Sequence, residues 1–334
     1  PPRLRNLSLS GASGAVAHPA WQPPARPVFL ALDLPLDGGS SEARGGLVAA
    51  GFATPWPGAL DVSVDTGDGG WDTRARLTAP ALIGELLEDF PAGPTGYWDR
   101  AASLMIELGG GALSSVTPEA VLNGANRLAI GQPDGGWEVV QFANAELVGE
   151  RRYRLSGFLR GLGGTDAATG ALAGAACIVL DAALQVLPLE AYETGAQLTL
   201  RCVAAGLAAS NPQAAEMVTQ YEQVDLRPLA PVHLRLRRAG GMVTASWIRC
   251  SRIGGDDWRA PDVPLGEARE AYRVQVLAGG DVLLEAETGM PVWSIAESEL
   301  AALTDGLAGP AELQVAQISD RVGPGRIARC SLAL

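Results

Sequence analysis

The sequence predicts a mainly β fold, in which a β-rich domain with short helices is followed by a β-sandwich. Two observations support this prediction. The chain of 334 residues contains 42 Gly and 23 Pro, so turns are frequent and short strands are favoured over long helices. Apolar residues make up 47% and charged residues 19%, a composition typical of a folded globular protein, and the length allows two domains.

The N-terminal part is predicted to be an arm followed by strands. Residues 1–27 are rich in Pro, Ser and Gly, which indicates an arm or linker. Residues 28–36 form an apolar β-run, and residues 47–65 indicate two strands joined through the Pro-Trp-Pro-Gly turn at 55–58. The chain starts with Pro and shows neither a signal-peptide pattern nor an apolar run of membrane-spanning length, so we expect a fragment of a longer polypeptide.

Two helices are predicted next. Residues 79–90 carry apolar side chains at helical spacing, which predicts an amphipathic helix. Its apolar residues are Leu82, Ile83, Leu86, Leu87 and Phe90. Its acidic residues Glu85, Glu88 and Asp89 are interpreted as a solvated face rather than a catalytic cluster. A shorter helix is expected to begin at Thr117, with Pro118 in its first turn, and to end at residues 123–126.

The stretch 153–166 organises the rest of the first domain. It follows a strand and a loose glycine turn predicted within 96–115 and strands predicted at 127–131 and 137–147. It opens as a strand and ends in a turn with three glycines at 161, 163 and 164. Segments 173–180 and 184–189 are predicted to complete a hairpin-rich module around this turn. A strand at 196–203 follows, and Asn211-Pro212 is expected to open a short helix that ends at Gln223.

The C-terminal part is predicted to be a fibronectin type III-like sandwich. Short paired strands are indicated by alternating segments from Val232 onward and by a hairpin about residues 279–281. Two last strands are predicted on either side of a turn at 323–325. Strand 242–252 is expected to point Val243, Ala245, Trp247 and Ile248 inward. The predicted division is an arm at 1–27, a β-rich domain at 28–229 and the sandwich at 230–334.

Several of these segments resemble one protein family. The blocks at 55–58 (PWPG), 121–130 (VLNGANRLAI), 137–147, 153–166, 173–181 and 247–274 occur in the same order in the C-terminal part of the large tail-tip protein of gene transfer agents and related siphophages. Those proteins are also called megatron or host-specificity proteins. The resemblance covers nearly the whole chain, so it is more specific than any single glycine motif.

The resemblance implies a structural role in a phage-like particle. It implies a virion component of the tail tip or baseplate, assembled in the bacterial cytoplasm and released with the particle. The implied partners are two further copies in a homotrimer, other tail proteins (hub, distal tail protein and peptidase) and the recipient-cell envelope, including its polysaccharide. The implied work is assembly, host attachment and envelope penetration by rigid β-modules, without enzymatic activity.

The charge pattern excludes several kinds of site. All 25 basic residues are Arg, so a Walker-type phosphate loop and a Schiff-base lysine are excluded within this segment. The net charge of −12 argues against a surface that grips nucleic acid, so DNA is expected only in transit, without specific binding. The four cysteines are widely spaced, which favours buried thiols, although a bridge between Cys250 and Cys330 stays open.

Catalytic and metal-binding patterns are weak. His18 lies in the arm and His233 begins a strand, and no nucleophile-elbow, zinc or EF-hand motif accompanies them. The GLGGTD sequence at 161–166 is interpreted as a turn between strands, and DTGDGG at 65–70 as a hairpin tip. We therefore expect no catalytic residues, no metal and no cofactor.

One loop is a candidate for ligand contact. Asp256, Asp257 and Trp258 could form a sugar-binding ledge, with the indole ring against a sugar face and the carboxylates on its hydroxyls. A structural packing role for this Trp is the simpler interpretation. The alternative functions that follow are a carbohydrate-binding adhesin module and, with less support, a β-rich glycosidase, which needs two carboxylates facing one cleft.

Overall fold

The computed structural model describes residues 24–35, 46–133, 135–167, 169–253, 263–305 and 310–332. Strands make up 51% and helices 9%, which confirms the mainly β prediction. Thirteen of the strands described lie before residue 221: β1 (Val28–Leu32), β2 (Gly46–Phe52), β3 (Leu60–Asp65), β4 (Trp71–Leu77), β5 (Ile83–Leu86), β6 (Asp99–Leu108), β7 (Arg127–Gly131), β8 (Trp137–Gly149), β9 (Arg152–Leu159), β10 (Ala176–Val179), β11 (Gln185–Pro188), β12 (Gln197–Ala204) and β13 (Ala215–Gln220).

The remaining elements are seven strands and a few short helices. The strands are β14 (Val232–Ala239), β15 (Met242–Ile248), β16 (Tyr272–Ala278), β17 (Asp281–Thr288), β18 (Val292–Ala296), β19 (Ala311–Ser319) and β20 (Gly323–Leu332). The α-helices are α1 (Pro118–Leu122) and α2 (Glu297–Thr304), and 3-10 turns occupy Leu162–Ala167, Ala191–Glu193 and Val224–Leu226. No helix within the described ranges is long and apolar enough to cross a membrane.

Six strands form a closed antiparallel barrel in the order β10-β5-β6-β9-β8-β7. Strand β10 closes it, because Cys177 pairs with Gly84 of β5 on one side and with Ile130 of β7 on the other. Closure leaves no free sheet edge, and alternate side chains fill the interior. The interior residues include Leu104, Ile106, Leu128, Ile130, Val140, Phe142, Leu155, Phe158 and Cys177.

The barrel is inserted into a second β-structure. Strands β1-β2-β11 form one sheet and β13-β12-β3-β4 another, and a common core that includes Phe29, Leu47, Leu60, Leu187 and Leu200 lies between them. The chain leaves this structure after β4, builds the barrel, and returns at β11, which pairs with β2. The barrel is therefore nested between two halves of the flanking sheets.

The sheet β1-β2-β11 is covered on both faces. One face packs into the core just described, and the other places Leu32, Val48 and Ala50 against barrel residues Ala129, Val139 and Ile178. Burial on both faces explains why β1 and β2 are continuously apolar rather than alternating.

The C-terminal strands form a β-sandwich. The sheets β14-β15-β18 and β17-β16-β19-β20 share one core, in which Trp247 packs edge-on against Tyr272 with ring centroids 5.2 Å apart. Val243, Ala245 and Trp247 point inward as predicted, whereas Ile248 is 57% exposed. The predicted hairpin at 279–281 is present, with Gly279 and Gly280 both at positive φ. The last turn precedes Gly323, where β20 already begins.

The helix predicted at 79–90 is wrong. The segment contains strand β5, whose two faces are both buried: Leu86 points into the barrel interior, and Ile83 packs against the sheet β1-β2-β11. Apolar residues on both faces of a strand imitated helical spacing. The helix predicted at 211–223 is also wrong, because β13 pairs there with β12 as an edge strand.

The hairpin interpretation of segments 153–189 needs a similar correction. Strand β9 pairs with β8 and β6, β10 pairs with β5 and β7, and β11 belongs to a different sheet. The helix at Thr117 is present, with the Thr117 side chain accepting a hydrogen bond from the Ala120 amide. It ends as predicted, with Gly124 and Asn126 at positive φ.

Candidate functional site

The residues proposed as a glycan ledge, Asp256, Asp257 and Trp258, lie outside the described residues, as does His18. His233 is exposed near the start of β14. Among the residues described, no group of three or more His, Cys, Asp or Glu side chains could hold a metal ion. The structure thus directs attention to polar groups that are buried.

All four cysteines are free, including Cys250 and Cys330. Cys177 lies in the barrel core, and Cys202 lies in the core between the two flanking sheets. Burial raises the pKa of both thiols to about 12, so they remain protonated and behave as small apolar side chains.

A buried ion pair fills one end of the barrel. Residues two apart on a strand point to the same face. Arg160 follows the interior residue Phe158 by two positions, and Glu138 precedes the interior residue Val140 by two, so both side chains enter the barrel interior. Arg160 Nε and Nη2 donate to the two Glu138 carboxylate oxygens at 2.8 Å each. Both side chains are fully excluded from solvent.

The remaining polar atoms of this pair also have partners. Arg160 Nη1 donates to the Pro91 carbonyl oxygen at 2.6 Å and lies 3.9 Å from Asp99 Oδ2. The guanidinium carbon sits 3.8 Å from the centroid of the Phe90 ring, and the Gly170 amide donates to Glu138. The pair therefore ties three other chain segments, at Phe90–Pro91, Asp99 and Gly170, to one barrel end, which is a structural role.

The glycine turn after Arg160 connects the barrel to neighbouring segments of the chain. Thr165 Oγ1 accepts from the Val139 amide at 3.0 Å, which fixes the turn on β8. A Cβ on Gly163 would lie 3.0 Å from the Pro35 carbonyl oxygen, and one on Gly164 would lie 2.6 Å from Leu229 Cδ2. The prediction of a turn here is confirmed, and the turn is a point of close contact between segments.

We call the place where these segments meet the junction: Asp33–Pro35, Gly161–Asp166, Tyr221–Leu229 and Arg326. The sandwich joins it through Arg326, whose amide donates to the Pro228 carbonyl oxygen at 2.9 Å. A Cβ on Gly164 would also lie 2.7 Å from Arg326 Nε. The barrel, the sheet β1-β2-β11 and the sandwich thus converge within one small region.

The junction holds two partly buried carboxyl groups, those of Asp33 and Asp225. Asp33 accepts from the Glu222 amide at 2.6 Å and from the Val224 amide at 3.1 Å. Burial raises its pKa to about 6, with a smaller contribution from Asp225, while the two amides and Arg227 oppose the rise. Burial also raises the pKa of Asp225, which accepts a hydrogen bond from the Tyr221 hydroxyl at 3.0 Å.

Arg326 is the basic member of the junction. Its Nε atom is buried without a hydrogen-bond partner among the described residues, and burial lowers the pKa of the side chain, an effect that nearby Asp166 opposes. This arrangement provides a carboxyl group that titrates in mildly acidic solution near a cation whose Nε has no hydrogen-bond partner in the described part of the chain. It can couple protonation to the contact between modules.

The sequence was compared with known families and structures. Residues 81–179 match the family model described as Rcc01698-like, C-terminal, which is 99 of the 334 residues. No curated protein matches. In the crystal structure of the rat CD45 extracellular region, domains d3–d4, a similar chain is 11% identical with a TM-score of 0.22, covering 46% of this chain and 72% of that one.

The family match coincides with the barrel. Its bounds enclose all six barrel strands, from Ile83 to Val179, together with the Arg160–Glu138 pair and the glycine turn. The family takes its name from a protein of the Rhodobacter gene transfer agent region. Residues 81–179 are therefore similar to a domain associated with gene transfer agents.

Proposed function

We propose that this chain is a structural component of the tail tip or baseplate of a phage-like particle, of the gene transfer agent type. The observation that carries the proposal is the match of residues 81–179 to a gene transfer agent-associated family over one complete closed barrel. A match that begins and ends with a folding unit indicates a shared module rather than a shared short motif.

The construction of the molecule supports a mechanical role. The barrel has no free edges, its end is closed by a hydrogen-bonded ion pair, and the junction joins it to the sandwich. Rigid modules of this kind suit assembly around a tail axis, for which we propose three copies of the chain. The hub, the distal tail protein and the peptidase are the proposed neighbours, and the recipient envelope is the proposed target.

The test is to locate the chain in intact particles. An epitope inserted in the β3–β4 turn at Gly67–Gly69 is suitable, because a Cβ on either glycine meets no atom within 4 Å. Immunogold electron microscopy should place the label at the end of the tail, and averaged maps should show three-fold symmetry there. Label along the shaft or on the capsid, or full-length protein absent from purified particles, would overturn the proposal.

A further inference from the structure

Strand β14 presents arginines on the outer face of the sandwich. Leu234 and Leu236 pack against the sandwich core, and the residues between and beyond them, His233, Arg235 and Arg237, are exposed. Alternation along a strand therefore sets Arg235 and Arg237 on the same open face, about 7 Å apart along the strand.

The strand register gives each arginine hydroxyl-bearing neighbours. Arg237 lies opposite Thr244, which lies opposite Ser294, and Thr244 Oγ1 and Ser294 Oγ are 2.9 Å apart. Arg235 lies opposite Ser246 in the next outward row. We call these five residues the arginine face: Arg235, Arg237, Thr244, Ser246 and Ser294. The face is free of acidic side chains.

Many other arginines in the described part of the chain differ, because they are paired with acids. The pairs are Arg76–Asp61, Arg152–Glu107, Arg154–Glu146, Arg201–Glu216, Arg227–Glu222, Arg238–Glu297 and Arg269–Glu287. Within the described part of the chain, Arg235 and Arg237 form neither an ion pair nor a side-chain hydrogen bond. In a protein with net charge −12, two adjacent unneutralised guanidinium groups make this face an exception.

The chemistry of the face suits an anionic glycan better than nucleic acid. A guanidinium group binds carboxylate or phosphate through paired hydrogen bonds, and the adjacent hydroxyls can bond to sugar hydroxyls. Nucleic-acid binding normally uses many more phosphate contacts and stacking aromatics, and none of the five residues of the face is aromatic.

We propose that the arginine face binds an acidic polysaccharide, with Arg235 and Arg237 each holding one anionic group of the extended chain. The inference rests on the proposed function, because it identifies the class of envelope ligand that a tail-tip protein with this face would contact. None of the five residues of the arginine face belongs to the sequence segment of Asp256, Asp257 and Trp258.

The test measures binding of the purified full chain to alginate, a polymer of uronic acids, by biolayer interferometry. Neutral dextran and a single-stranded oligonucleotide are measured in parallel. Wild-type protein should bind alginate saturably and more weakly as salt is raised, and should not bind dextran. The double variant Arg235→Gln/Arg237→Gln should lose at least tenfold in affinity, and Arg235→Lys/Arg237→Lys should fall between the two.

The chain offers a matched control. Arg152 and Arg154 are also exposed and two residues apart on one strand, but each is paired with an acid. Arg152→Gln/Arg154→Gln changes the net charge by the same amount and should leave alginate binding within twofold of wild type. Circular dichroism melting should show that both double variants remain folded.

Three outcomes would overturn the inference: no binding of alginate by wild-type protein, equal losses in both double variants, or tighter binding of the oligonucleotide than of alginate. These outcomes are distinguishable from failure of the proposed function. If the epitope is found at the tail end and the purified chain does not bind alginate, only the present inference fails. If alginate is bound and the epitope is found elsewhere, only the proposed function fails.

Discussion

Arg160 of the barrel and Arg326 of the junction both have guanidinium atoms out of contact with water, but their surroundings differ. In the barrel, Arg160 is fully buried and makes a two-point ion pair with Glu138, a bond to a backbone carbonyl and a contact with an aromatic ring. In the junction, Arg326 has a buried Nε without a partner among the described residues. The barrel end is therefore a completed polar network, and the junction is an incomplete one.

The difference indicates that the barrel end is rigid and that the junction is the more adaptable region. Removing one member of a completed buried pair leaves an unneutralised charge, whereas removing an unpaired charge relieves a desolvation penalty. The barrel should thus resist opening, and the contact between barrel and sandwich should open more readily and respond to conditions. Three experiments test this difference.

The largest effect is expected from Arg160→Met. It strands the Glu138 carboxylate in the barrel interior, and we expect the free energy of opening the barrel to fall by about 3–5 kcal/mol. Native-state hydrogen exchange of the β8 and β9 amides measures it. The matched Arg326→Met variant should change the opening of the junction by less than about 1 kcal/mol, in either direction. Similar losses in both variants would contradict the comparison.

An intermediate effect is expected from Gly161→Ala, in the turn that links the two regions. Gly161 has φ of +64°, and a Cβ there would lie 2.7 Å from Asp166 Cα, so the backbone must shift. We expect a loss of about 2–3 kcal/mol in the free energy of opening the turn, from positive φ and steric overlap together. Exchange of the Val139 amide, which donates to Thr165, reports it.

Gly69→Ala separates the two causes of that loss. Gly69 has φ of +85°, and a Cβ there meets no atom within 4 Å. This variant should therefore show only the cost of positive φ, about 1 kcal/mol, at the β3–β4 turn. If Gly161→Ala were no more disruptive than Gly69→Ala, the close packing of the glycine turn would have no energetic consequence.

The smallest effect is a gain in junction stability on mild acidification. An unfolded Asp has a pKa near 3.9, and burial raises that of Asp33 to about 6. The folded state therefore binds this proton more tightly, so the contribution to stability is full below about pH 4 and is lost as pH rises through 6. Between pH 7 and pH 5 the gain should be about 1 kcal/mol.

Asp33→Asn should remove most of this gain, leaving the smaller contribution of Asp225, whose pKa is also raised. The measurement is the protection of the Glu222 and Val224 amides at both pH values, corrected for intrinsic exchange rates. Asp68→Asn is the control, because hydrogen bonds from Thr66 and Gly70 lower the pKa of Asp68, which stays ionised over this range. An undiminished gain in the Asp33→Asn variant would assign the effect to other groups.

Much of the local structure was predictable from the sequence. Helix α1 was identified from Thr117 and Pro118, because capping chemistry is local and the residues involved are adjacent. Strands β7, β8 and β12 were identified because their apolar residues are continuous or alternate over a sufficient length. The mainly β class followed from the same signals.

The errors came from contacts between distant segments. Strand β5 resembled a helix because Ile83 and Leu86 face two different cores, and nothing in the segment itself reveals the second core. Strand β10 pairs with β5 and β7, which lie far before it in the chain, and the sequence does not show which distant strands pair. The predictions of secondary structure failed where pairing with distant strands overrode the local propensity of the segment.

The sequence carries a weak signal for the buried ion pair of Arg160 and Glu138. Glu138 is a lone acid in the apolar strand WEVVQF, and Arg160 directly follows the buried strand that ends in Phe158 and Leu159. A charged residue in such a position is usually buried only with a partner, so the two could have been matched. The arginine face, by contrast, depends on register. Alternation marks Arg235 and Arg237 as outward, but only strand pairing shows that their cross-strand neighbours among the described residues are Thr and Ser rather than acids.

The nesting of the barrel has a consequence for how the chain can be divided. Because β11 returns to pair with β2, and β12 with β3, ending the chain at Leu180 would remove β11 from one flanking sheet and β12 and β13 from the other, while leaving the barrel strands whole. The barrel is thus an inserted module whose first and last strands, β5 and β10, are paired, so it can be exchanged between proteins that share the flanking sheets. Residues 81–179 form one exchangeable unit, whereas residues 46–77 and 185–220 depend on each other and must be kept together.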